Sequence, residues 1–370
     1  MDINKLLSAM AAKSASDLFI TADVPPSMKI HGELLALSST PISAGAAAKI
    51  VLSIMTEGQR REFKQKKELN FALQLKGVGR FRCSAFYQRN LMGVVIRRIE
   101  TVIPSMDTLG LPHSLKVMVM AKRGLLIFVG ATGSGKSSSL AAMIGYRNRN
   151  SKSHIVSIED PIEFMHEHSS SIVTQREVGI DTESFEVALK NTLRQAPDVI
   201  MIGEVRSRET MAHAISFAET GHLCLCTLHA NNANQALDRI LHFFPADRRE
   251  QLLMDLSLNL NGIVAQQLVP SVDKGDRLAC LEVLLNTPLV ADLIRKGAID
   301  KLKDLMRKST ELGMQTFDHA LYQLYIEGKI SYENALAYAD SRNDLRLLIK
   351  LQSESNPRSL DFAADEIELE

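Results

Sequence analysis

One eight-residue stretch constrains this chain more than any other. Residues Gly130 to Ser137 have the sequence GATGSGKS and match the pattern G-x-x-x-x-G-K-[ST]. An apolar run, LLIFV, precedes the stretch, and Ser138 to Arg147 follows it with helical spacing. A strand, a glycine-rich turn and a helix in that order form a phosphate-binding loop. The chain is therefore expected to contain an α/β domain that binds a nucleotide.

Each position in this loop has a physical reason. The backbone N–H groups must approach a phosphate closely, and the glycines permit the unusual dihedral angles that this approach requires. The helix that follows directs its positive end at the anion. We expect Lys136 to reach the β- and γ-phosphates of ATP and the Ser137 hydroxyl to ligate Mg²⁺. The predicted nucleotide-binding residues are Gly130, Ala131, Thr132, Gly133, Ser134, Gly135, Lys136, Ser137 and Ser138.

The hydrophobic pattern changes along the chain and predicts its domains. Residues 1–100 combine short strands with two helical segments, which is typical of a small α+β domain, and 101–119 is predicted to be a linker. Residues 120–285 alternate short apolar runs with helices, which predicts a mostly parallel sheet covered by helices. Residues 286–352 have helical spacing, and the acidic residues 353–370 are predicted to be a disordered tail.

Individual elements are predicted from the same pattern. Apolar and polar residues alternate between residues 79 and 87, which predicts a half-exposed strand in the first domain. The predicted strands of the second domain are Leu125–Val129, Ile155–Ile158, Val199–Ile202 and Leu223–Leu228. The predicted helices after residue 285 are Leu289–Lys308, Phe317–Glu327 and Tyr332–Leu351.

Composition argues against several classes of protein. Lys and Arg together number 43, as do Asp and Glu, and a net charge of zero argues against a dedicated nucleic-acid-binding protein. The four cysteines are too few for a disulfide scaffold, and no C-x-x-C pair provides the usual zinc spacing. The first residues do not have the pattern of a secretion signal, and no apolar stretch approaches the ~20 residues that span a bilayer. We expect a cytoplasmic protein that meets membranes only through partners.

Carboxylates follow two of the predicted strands. Glu159, Asp160 and Glu163 follow the second strand of the sheet domain, and Glu204 follows the third. Ligands bind at these strand ends in parallel sheets, and nucleotide hydrolysis needs acids that hold Mg²⁺ and orient water. The alternatives are a helix cap at Asp160 and a solvated loop charge at Glu204.

Two histidines lie at the two ends of the fourth predicted strand. His222 precedes the strand and His229 follows it. A lone histidine is more often structural than functional, so spacing alone leaves both interpretations open. Arg206, Arg208 and Arg239 lie near the same strands and are interpreted as surface charges.

Four motifs in a fixed order together resemble one family. GATGSGKS, IEDPIEF at 158–164, PDVIMIGEVR at 197–206 and ETGHLCLCTLHA at 219–230 resemble the Walker A, Asp-box, Walker B and His-box motifs of the secretion ATPases. These are the hexameric motors of type II and type IV secretion and of type IV pili. ASDLFITADVPPSMKIHGEL, near the N-terminus, also resembles that family, so the resemblance covers nearly the whole chain. It implies a RecA-like P-loop NTPase core, a smaller N-terminal PAS-like α+β domain and a C-terminal helical region.

The resemblance implies roles for the acids that spacing could not assign. Glu163 would polarise the attacking water. Glu204 would be the Walker B acid and, with Ser137, would hold Mg²⁺ near the phosphates beside Lys136.

The resemblance also implies roles for basic residues. His222 and His229 would sense the γ-phosphate and couple it to domain motion. Arg82 and Arg97 match the arginines that reach the nucleotide from the N-terminal domain. Such arginines contribute about 10³ to 10⁵ in rate in other phosphoryl-transfer enzymes.

Within the family, the chain resembles the pilus-retraction branch, PilT and its paralogue PilU, and it resembles PilU more. The N-terminal unit is short, and the tetracysteine zinc insertion of many assembly ATPases is absent. The PilT retraction motif, AIRNLIRE, corresponds best to VADLIRK at Val290–Lys296, where only Leu293, Ile294 and Arg295 are in register. This departure argues against retraction without a sister motor.

The resemblance further implies an assembly and its partners. It implies a homohexamer at the cytoplasmic face of the inner membrane that uses ATP and Mg²⁺ to drive or assist pilus retraction and twitching motility. The implied partners are a PilT-like sister ATPase and the inner-membrane platform protein of the pilus, with no nucleic acid. Two other functions remain open: a DNA translocase on the same core, which predicts a basic pore, and a regulatory ring that binds ATP without turnover.

Overall fold

The computed structural model describes residues 2–30, 32–99, 102–273 and 275–355, which form two compact units. The first unit comprises the residues up to Ile103 with Pro161–His166 and Arg176–Ser184. The second unit comprises Pro104–Asp160, Glu167–Gln175 and the residues from Phe185 onward. Two segments from within the predicted 120–285 domain, which carry Glu163 and Glu177, thus group with the first unit.

The first unit is built on a six-stranded antiparallel sheet with strand order β3-β2-β1-β6-β5-β4. Its strands are β1 (Asp17–Ile20), β2 (Ser27–Ile30), β3 (Glu33–Ala36), β4 (Glu68–Leu75), β5 (Gly79–Gln88) and β6 (Leu91–Arg98), and its helices are α1 (Ile3–Ala12), α2 (Ala44–Ser53) and α3 (Glu57–Lys66). On β5, Phe81, Cys83 and Ala85 are buried while Arg82 and Ser84 are not, as the alternating pattern predicted. This is the expected small α+β domain.

The second unit is built on a seven-stranded sheet with strand order β13-β12-β7-β11-β10-β8-β9. Its strands are β7 (Gly124–Val129), β8 (His154–Glu159), β9 (Ile172–Glu177), β10 (Val199–Ile202), β11 (Leu223–Leu228), β12 (Leu260–Pro270) and β13 (Arg277–Leu285). The central strands from β12 to β8 are parallel, and β13 runs antiparallel to β12. Nearly every residue of β7, β8, β10 and β11 is buried, which explains why these strands lack alternation and were predicted from continuous apolar runs.

Several helices of the second unit begin at polar caps that are visible in the sequence. The helices are α4 (His113–Val119), α5 (Lys136–Asn150), α6 (Phe185–Thr192), α7 (Arg208–Glu219), α8 (Ala233–Phe243), α9 (Arg249–Asn259), α10 (Pro288–Arg295), α11 (Leu302–Arg307), α12 (Phe317–Ile326), α13 (Tyr332–Ala337) and α14 (Arg342–Ser355). Side chains that accept a hydrogen bond from the first turn belong to Ser207, Asn232, Thr287, Thr316 and Ser331.

The C-terminal helices are shorter than the sequence predicted. The predicted helix Leu289–Lys308 ends after α10, because Gly297 adopts φ +68°, and helical structure resumes at Ile299. The predicted helix Tyr332–Leu351 divides into α13 and α14 at the segment 338–341. α14 continues to Ser355, past the predicted start of the acidic tail, and the rest of that tail lies outside the described residues.

Two features of the fold had no counterpart in the predictions. The hairpin of β12 and β13 extends the sheet beyond β7, although it was not among the predicted strands. Helix α4 lies within the predicted linker 101–119, and its Leu115, Met118 and Val119 join the core beneath the sheet. No helix in the described part of the chain is both long and apolar enough to cross a bilayer.

Candidate active site

The phosphate loop connects β7 to α5, as predicted. Gly135 caps α5 in the left-handed conformation with φ +86°, and the helix begins at Lys136. The Lys136 ammonium group donates hydrogen bonds to the carbonyl oxygens of Gly130, at 2.7 Å, and Ala131, at 2.9 Å. Burial lowers the pKa of Lys136, and the negative charge of Glu204 opposes that shift. The Lys136 ammonium group therefore lies against the first two residues of the loop, within the field of a carboxylate.

Gln266 supports this loop and was missed by sequence reasoning. It lies on β12 beside β7 and is 3% exposed. A Cβ atom on Gly130 would lie 2.4 Å from the Gln266 carbonyl oxygen, and one on Gly135 would lie 2.7 Å from the Gln266 Nε2 atom. At Gly130 the obstacle is the backbone of β12, so a side chain does not fit there. At Gly135 it is the end of the Gln266 side chain, and the positive φ of +86° further favours glycine. Since the contact is formed across strands about 130 residues apart, no local pattern could have indicated it.

Glu204 lies at the carboxyl end of β10, on the same edge of the sheet as the loop. Its carboxylate is 3.1 Å from His229 Nε2 and 2.6 Å from an Arg206 guanidinium nitrogen. Burial would raise the pKa of Glu204, but the hydrogen bond and charge of Arg206, with His229 and Lys136, hold it below its ordinary value. Glu204 is therefore an ionised carboxylate at neutral pH, and spacing alone could not have distinguished it from a loop charge.

Arg206 joins the two acid clusters that the sequence predicted. Besides Glu204, its guanidinium lies 3.7 Å from Asp160, which follows β8. Glu159, at the end of β8, is buried and accepts hydrogen bonds from Ser157, at 2.7 Å, and Gln175, at 3.1 Å. Arg206 is exposed, as expected of a surface charge, but it is also paired with two acids at the site. β8 and β10 are neighbours in the sheet, which brings these groups together.

His222 and His229 do not come together. His229 follows β11 at the phosphate-loop edge, whereas His222 precedes β11 at the opposite edge, where its carbonyl oxygen accepts a hydrogen bond from Gly124 N–H. The His222 Nδ1 atom lies 3.1 Å from Thr220 Oγ1 and 3.2 Å from the Phe217 carbonyl oxygen. Since a six-residue strand separates the histidines, about 20 Å lies between the two edges. The expectation that both sense one γ-phosphate is therefore not met within one chain.

The remaining predicted catalytic residues belong to the first unit. Glu163 is exposed, in the segment after β8 that groups with this unit. Arg82 on β5 and Arg97 on β6 are direct cross-strand partners. Arg97 pairs with Asp17, at 2.8 Å, and Arg82 lies 4.0 Å from the buried carboxylate of Glu177. Glu177 is the last residue of β9, and β9 passes into the first unit at Arg176, so each predicted arginine has an acidic partner within its own unit.

The residues at the phosphate-loop edge fit a nucleotide with its Mg²⁺. The loop offers backbone N–H groups and the Lys136 cation to phosphate oxygens. Mg²⁺ usually takes one or two protein oxygens with waters and phosphates, and Ser137 and the ionised Glu204 are oxygen ligands of that kind. No cluster of three or more His, Cys, Asp or Glu side chains in the described ranges is placed to hold a metal by itself.

The fold, together with the residues at the phosphate-loop edge of the sheet, defines a P-loop ATPase built on a RecA-like core with a smaller α+β domain. The family model described as "Type II/IV secretion system protein" matches residues 1–317, and the chain belongs to that family. It is 66% identical to the type IV pilus ATPase PilU of Pseudomonas aeruginosa over all of this chain and 97% of that one. It is 38% identical to the type IV pilus retraction ATPase PilT of the same organism, over 90% of this chain and 97% of that one.

A solved structure supports the same assignment. The crystal structure of the pilus retraction motor PilT with bound ADP superposes with a TM-score of 0.87 at 37% identity. The match covers 94% of this chain and 99% of that one. The expected fold, with its N-terminal domain, ATPase core and C-terminal helices, is confirmed.

Proposed function

We propose that this chain is an ATP-hydrolysing motor subunit of a type IV pilus machine that drives or assists pilus retraction. The observation that carries the proposal is the ionised Glu204, 3.1 Å from His229 and within the field of Lys136 at the phosphate-loop edge. The likeness to a pilus ATPase over the whole chain supports the pilus as the target.

Residues of the second unit have different roles in ATP hydrolysis. Lys136 exchanges its two carbonyl partners for oxygens of the β- and γ-phosphates. Ser137 and Glu204 would hold Mg²⁺, which would supply positive charge against the phosphates. Arg206 keeps Glu204 ionised and oriented, because its hydrogen bond and charge lower the pKa of that carboxyl. His229, in contact with Glu204, responds to the state of the γ-phosphate.

Three further roles are proposed on the family resemblance. Glu163 polarises the attacking water, and Arg82 and Arg97 contact the nucleotide. The two arginines then have to leave Glu177 and Asp17, their present partners. Each arginine and its acidic partner belong to the same unit. Neutralising Glu177 or Asp17 therefore tests whether release of the paired arginine limits the rate of ATP hydrolysis.

The assembly is also part of the proposal. The chain forms a homohexamer on the cytoplasmic face of the inner membrane, binds the platform protein of the pilus and works with a PilT-like sister motor. In the segment that corresponds to the retraction motif, Asp292 pairs with Arg295, at 2.8 Å, and with Lys296, at 2.6 Å. Hydrogen bonds from Lys296 and Arg295 lower the pKa of Asp292, so this helix end carries internally paired charges.

The first test compares ATP hydrolysis by the purified chain and its Glu204→Gln variant. We expect the variant to lose at least about a hundredfold in kcat, because a preorganised charge at the reacting phosphates is removed. Glu250→Gln, on the exposed start of α9, is the matched control and should hydrolyse ATP at the normal rate. A wild-type chain that binds ATP without hydrolysing it would instead support the regulatory-ring function. Salt-dependent DNA binding would support the translocase function.

A further inference from the structure

A buried carboxylate with no proposed catalytic role lies on the strand next to β12, and β12 packs against the phosphate loop. Glu282, on β13, is 1% exposed. Its Oε1 atom accepts a hydrogen bond from the Ala233 N–H group, at 2.9 Å. Among the described residues, none forms a hydrogen bond with its buried Oε2 atom. A buried carboxylate with an oxygen that lacks a hydrogen bond costs stability unless it is protonated or paired with a cation.

Glu282 holds the first residue of α8, and α8 begins four residues after His229. We call residues 229–233 the His229 turn. Its far end is fixed twice: by Glu282 at Ala233, and by the Asn232 side chain, which accepts a hydrogen bond from Gln235 N–H at 2.9 Å. The near end is β11, whose Leu228 is buried in the sheet. The position of His229 therefore depends on where the first turn of α8 is held.

The strand register places Glu282 level with the phosphate loop. Leu228 on β11 pairs with Val129 on β7, and Val129 pairs with Ala265 on β12. Ala265 in turn pairs with Glu282. Val129 is followed directly by Gly130, the first residue of the loop. One row across four strands thus joins the start of the His229 turn, the start of the loop and Glu282.

On its other side, Glu282 faces the C-terminal helices. The Lys303 ammonium group on α11 lies 3.9 Å from Glu282 Oε2 and forms a hydrogen bond with the Asp340 carboxylate. Asp318, on α12, accepts hydrogen bonds from the backbone N–H groups of Asp340, at 2.9 Å, and Ser341, at 3.4 Å. Among the residues that the structure describes, the charged groups that act on Glu282 are therefore the cation of Lys303 and the acids Asp340 and Asp318.

The excess of acidic over basic groups near Glu282 favours its protonated form. Burial raises the pKa of Glu282 to about 7, the Ala233 hydrogen bond and Lys303 oppose the shift, and Asp340 and Asp318 reinforce it. The side chain is then divided between two charge states near neutral pH. A proton on this carboxyl relieves the repulsion within the cluster without removing the acceptor for Ala233.

We propose that Glu282 is a positioning residue that fixes the His229 turn and, through Lys303, links it to the helices α11 to α14. The inference rests on the proposed role of His229 at the γ-phosphate. When His229 moves on nucleotide binding or hydrolysis, the hydrogen bond between Ala233 and Glu282 is strained. Glu282 transmits that change through Lys303 to the C-terminal helices. The proton state of Glu282 sets how firmly the turn is held.

The sign of the pH effect follows from linkage. If opening the turn exposes Glu282 to water, its pKa returns toward 4.5, so the closed turn binds the proton more tightly. Rising pH through about 7 therefore favours opening of the turn. Glu282→Gln keeps an acceptor for Ala233 and stays neutral, whereas Glu282→Ala removes the acceptor. Lys303→Met removes the cation, which raises the pKa of Glu282 and moves the transition to higher pH.

The experiment measures hydrogen exchange of the amides at residues 229–236 between pH 6 and 8.5, corrected for intrinsic rates, in the full chain and these three variants. We expect wild-type protection to fall above pH 7, Glu282→Gln to remain protected at pH 8, and Lys303→Met to lose protection at higher pH than the wild type. Glu282→Ala should lose about tenfold or more in protection at every pH, because the N–H group loses its acceptor. This readout does not require hydrolysis, so its failure is distinct from failure of the proposed ATPase.

Kinetics then separates positioning from general damage. Glu282→Ala should lose about tenfold in kcat through His229, while its affinity for ADP stays within about threefold because the phosphate loop is untouched. Glu282→Gln should keep kcat and lose the pH dependence near 7. Wild-type pH dependence in Glu282→Gln, or unchanged exchange in Glu282→Ala, would overturn the proposal. An equal loss of ADP affinity and kcat would show a structural role only.

Discussion

The Gly135 position shows how tightly single residues are constrained at the loop. Its Cβ site meets Gln266 Nε2, whereas nothing lies within 4 Å of the corresponding site on Gly133. Both glycines have positive φ, of +86° and +79°, so alanine at either costs about 1–2 kcal/mol of backbone strain. We expect Gly135→Ala to lower the thermal midpoint more than Gly133→Ala does.

The difference in thermal midpoint between Gly135→Ala and Gly133→Ala measures the effect of the contact between residue 135 and the Gln266 side chain. In a Gly135→Ala, Gln266→Ala double variant, part of the lost stability should return, because the alanine methyl group no longer meets the amide. Scanning calorimetry without nucleotide measures both steps. Equal midpoints for Gly133→Ala and Gly135→Ala would mean that the Gln266 side chain does not constrain residue 135.

A second residue-scale prediction concerns stability and pH. The pKa of Glu282 rises from 4.5 to about 7 on folding, so its favourable contribution is complete below pH 4.5 and is lost as pH rises through about 7. The shift is equivalent to about 3 kcal/mol. Glu282→Gln should therefore unfold several degrees higher than the wild type at pH 8, with little difference at pH 5. The exposed Glu311→Gln is the control and should show no such dependence.

At the scale of elements, strands and loops could be predicted where their sequence pattern lies within one contiguous segment. Four central strands were found because buried parallel strands are continuous apolar runs, and the phosphate loop because its glycines, Lys136 and flanking elements are contiguous. β12 and β13 were missed because Gln266 and Glu282 interrupt their apolar pattern. Both polar side chains are 3% exposed or less, and their contacts come from distant segments.

The site was predicted in its residues more than in its geometry. Spacing placed Glu204 and His229 at strand ends, and strand order then brought them within 3.1 Å. The pairing of Arg206 with Glu204 and Asp160 required knowledge that β8 and β10 are neighbours. His222 was expected at the same site because it belongs to the same motif, but a strand's length separates it from His229.

Helix α5, which presents Lys136 and Ser137, is held at its far end by a buried arginine. Arg147 is 7% exposed and donates hydrogen bonds to the carbonyl oxygens of Val119, at 2.6 Å, and Ala121, at 2.7 Å. Arg147→Met would leave both carbonyls without this donor, at a cost of about 2–4 kcal/mol. Arg149, two residues along the same helix, is exposed, and Arg149→Met is the matched control.

The readout for α5 is the unfolding transition and the affinity for ADP. Arg147→Met should lower the thermal midpoint by several degrees and weaken ADP binding less than tenfold, because the loop itself is unchanged. An Arg147→Met protein as stable as Arg149→Met would show that the α4–α5 contact does not anchor the helix.

At the scale of the whole molecule, the two units have separate cores. One cluster of buried residues, including Leu7, Phe63 and Phe81, lies in the first unit. Another, including Phe128, Met143 and Leu225, lies in the second. Two independently packed bodies on one chain are what a machine needs if domain motion is its output, because each keeps its own core while their arrangement changes.

The proposed ring makes a prediction that no single subunit can make. If six subunits hydrolyse ATP as a coordinated ring, one inactive subunit stops the others. If each works alone, activity falls in proportion to the inactive fraction. Glu204→Gln retains the loop, so it should still bind ATP and assemble with the wild type. With half of the subunits inactive and randomly mixed, strict coordination of six leaves about 2% of the activity, whereas independent subunits leave half.

The measurement is ATPase rate against the fraction of Glu204→Gln subunits, at constant total protein, after mixing has reached equilibrium. The control mixes wild type with Glu250→Gln and should give a flat line. A curve well below proportionality, together with a particle of about six subunit masses, supports a coordinated ring. A straight line from such a particle would retain the ATPase but exclude strict coordination, so that force on the pilus would have to come from subunits that act one at a time.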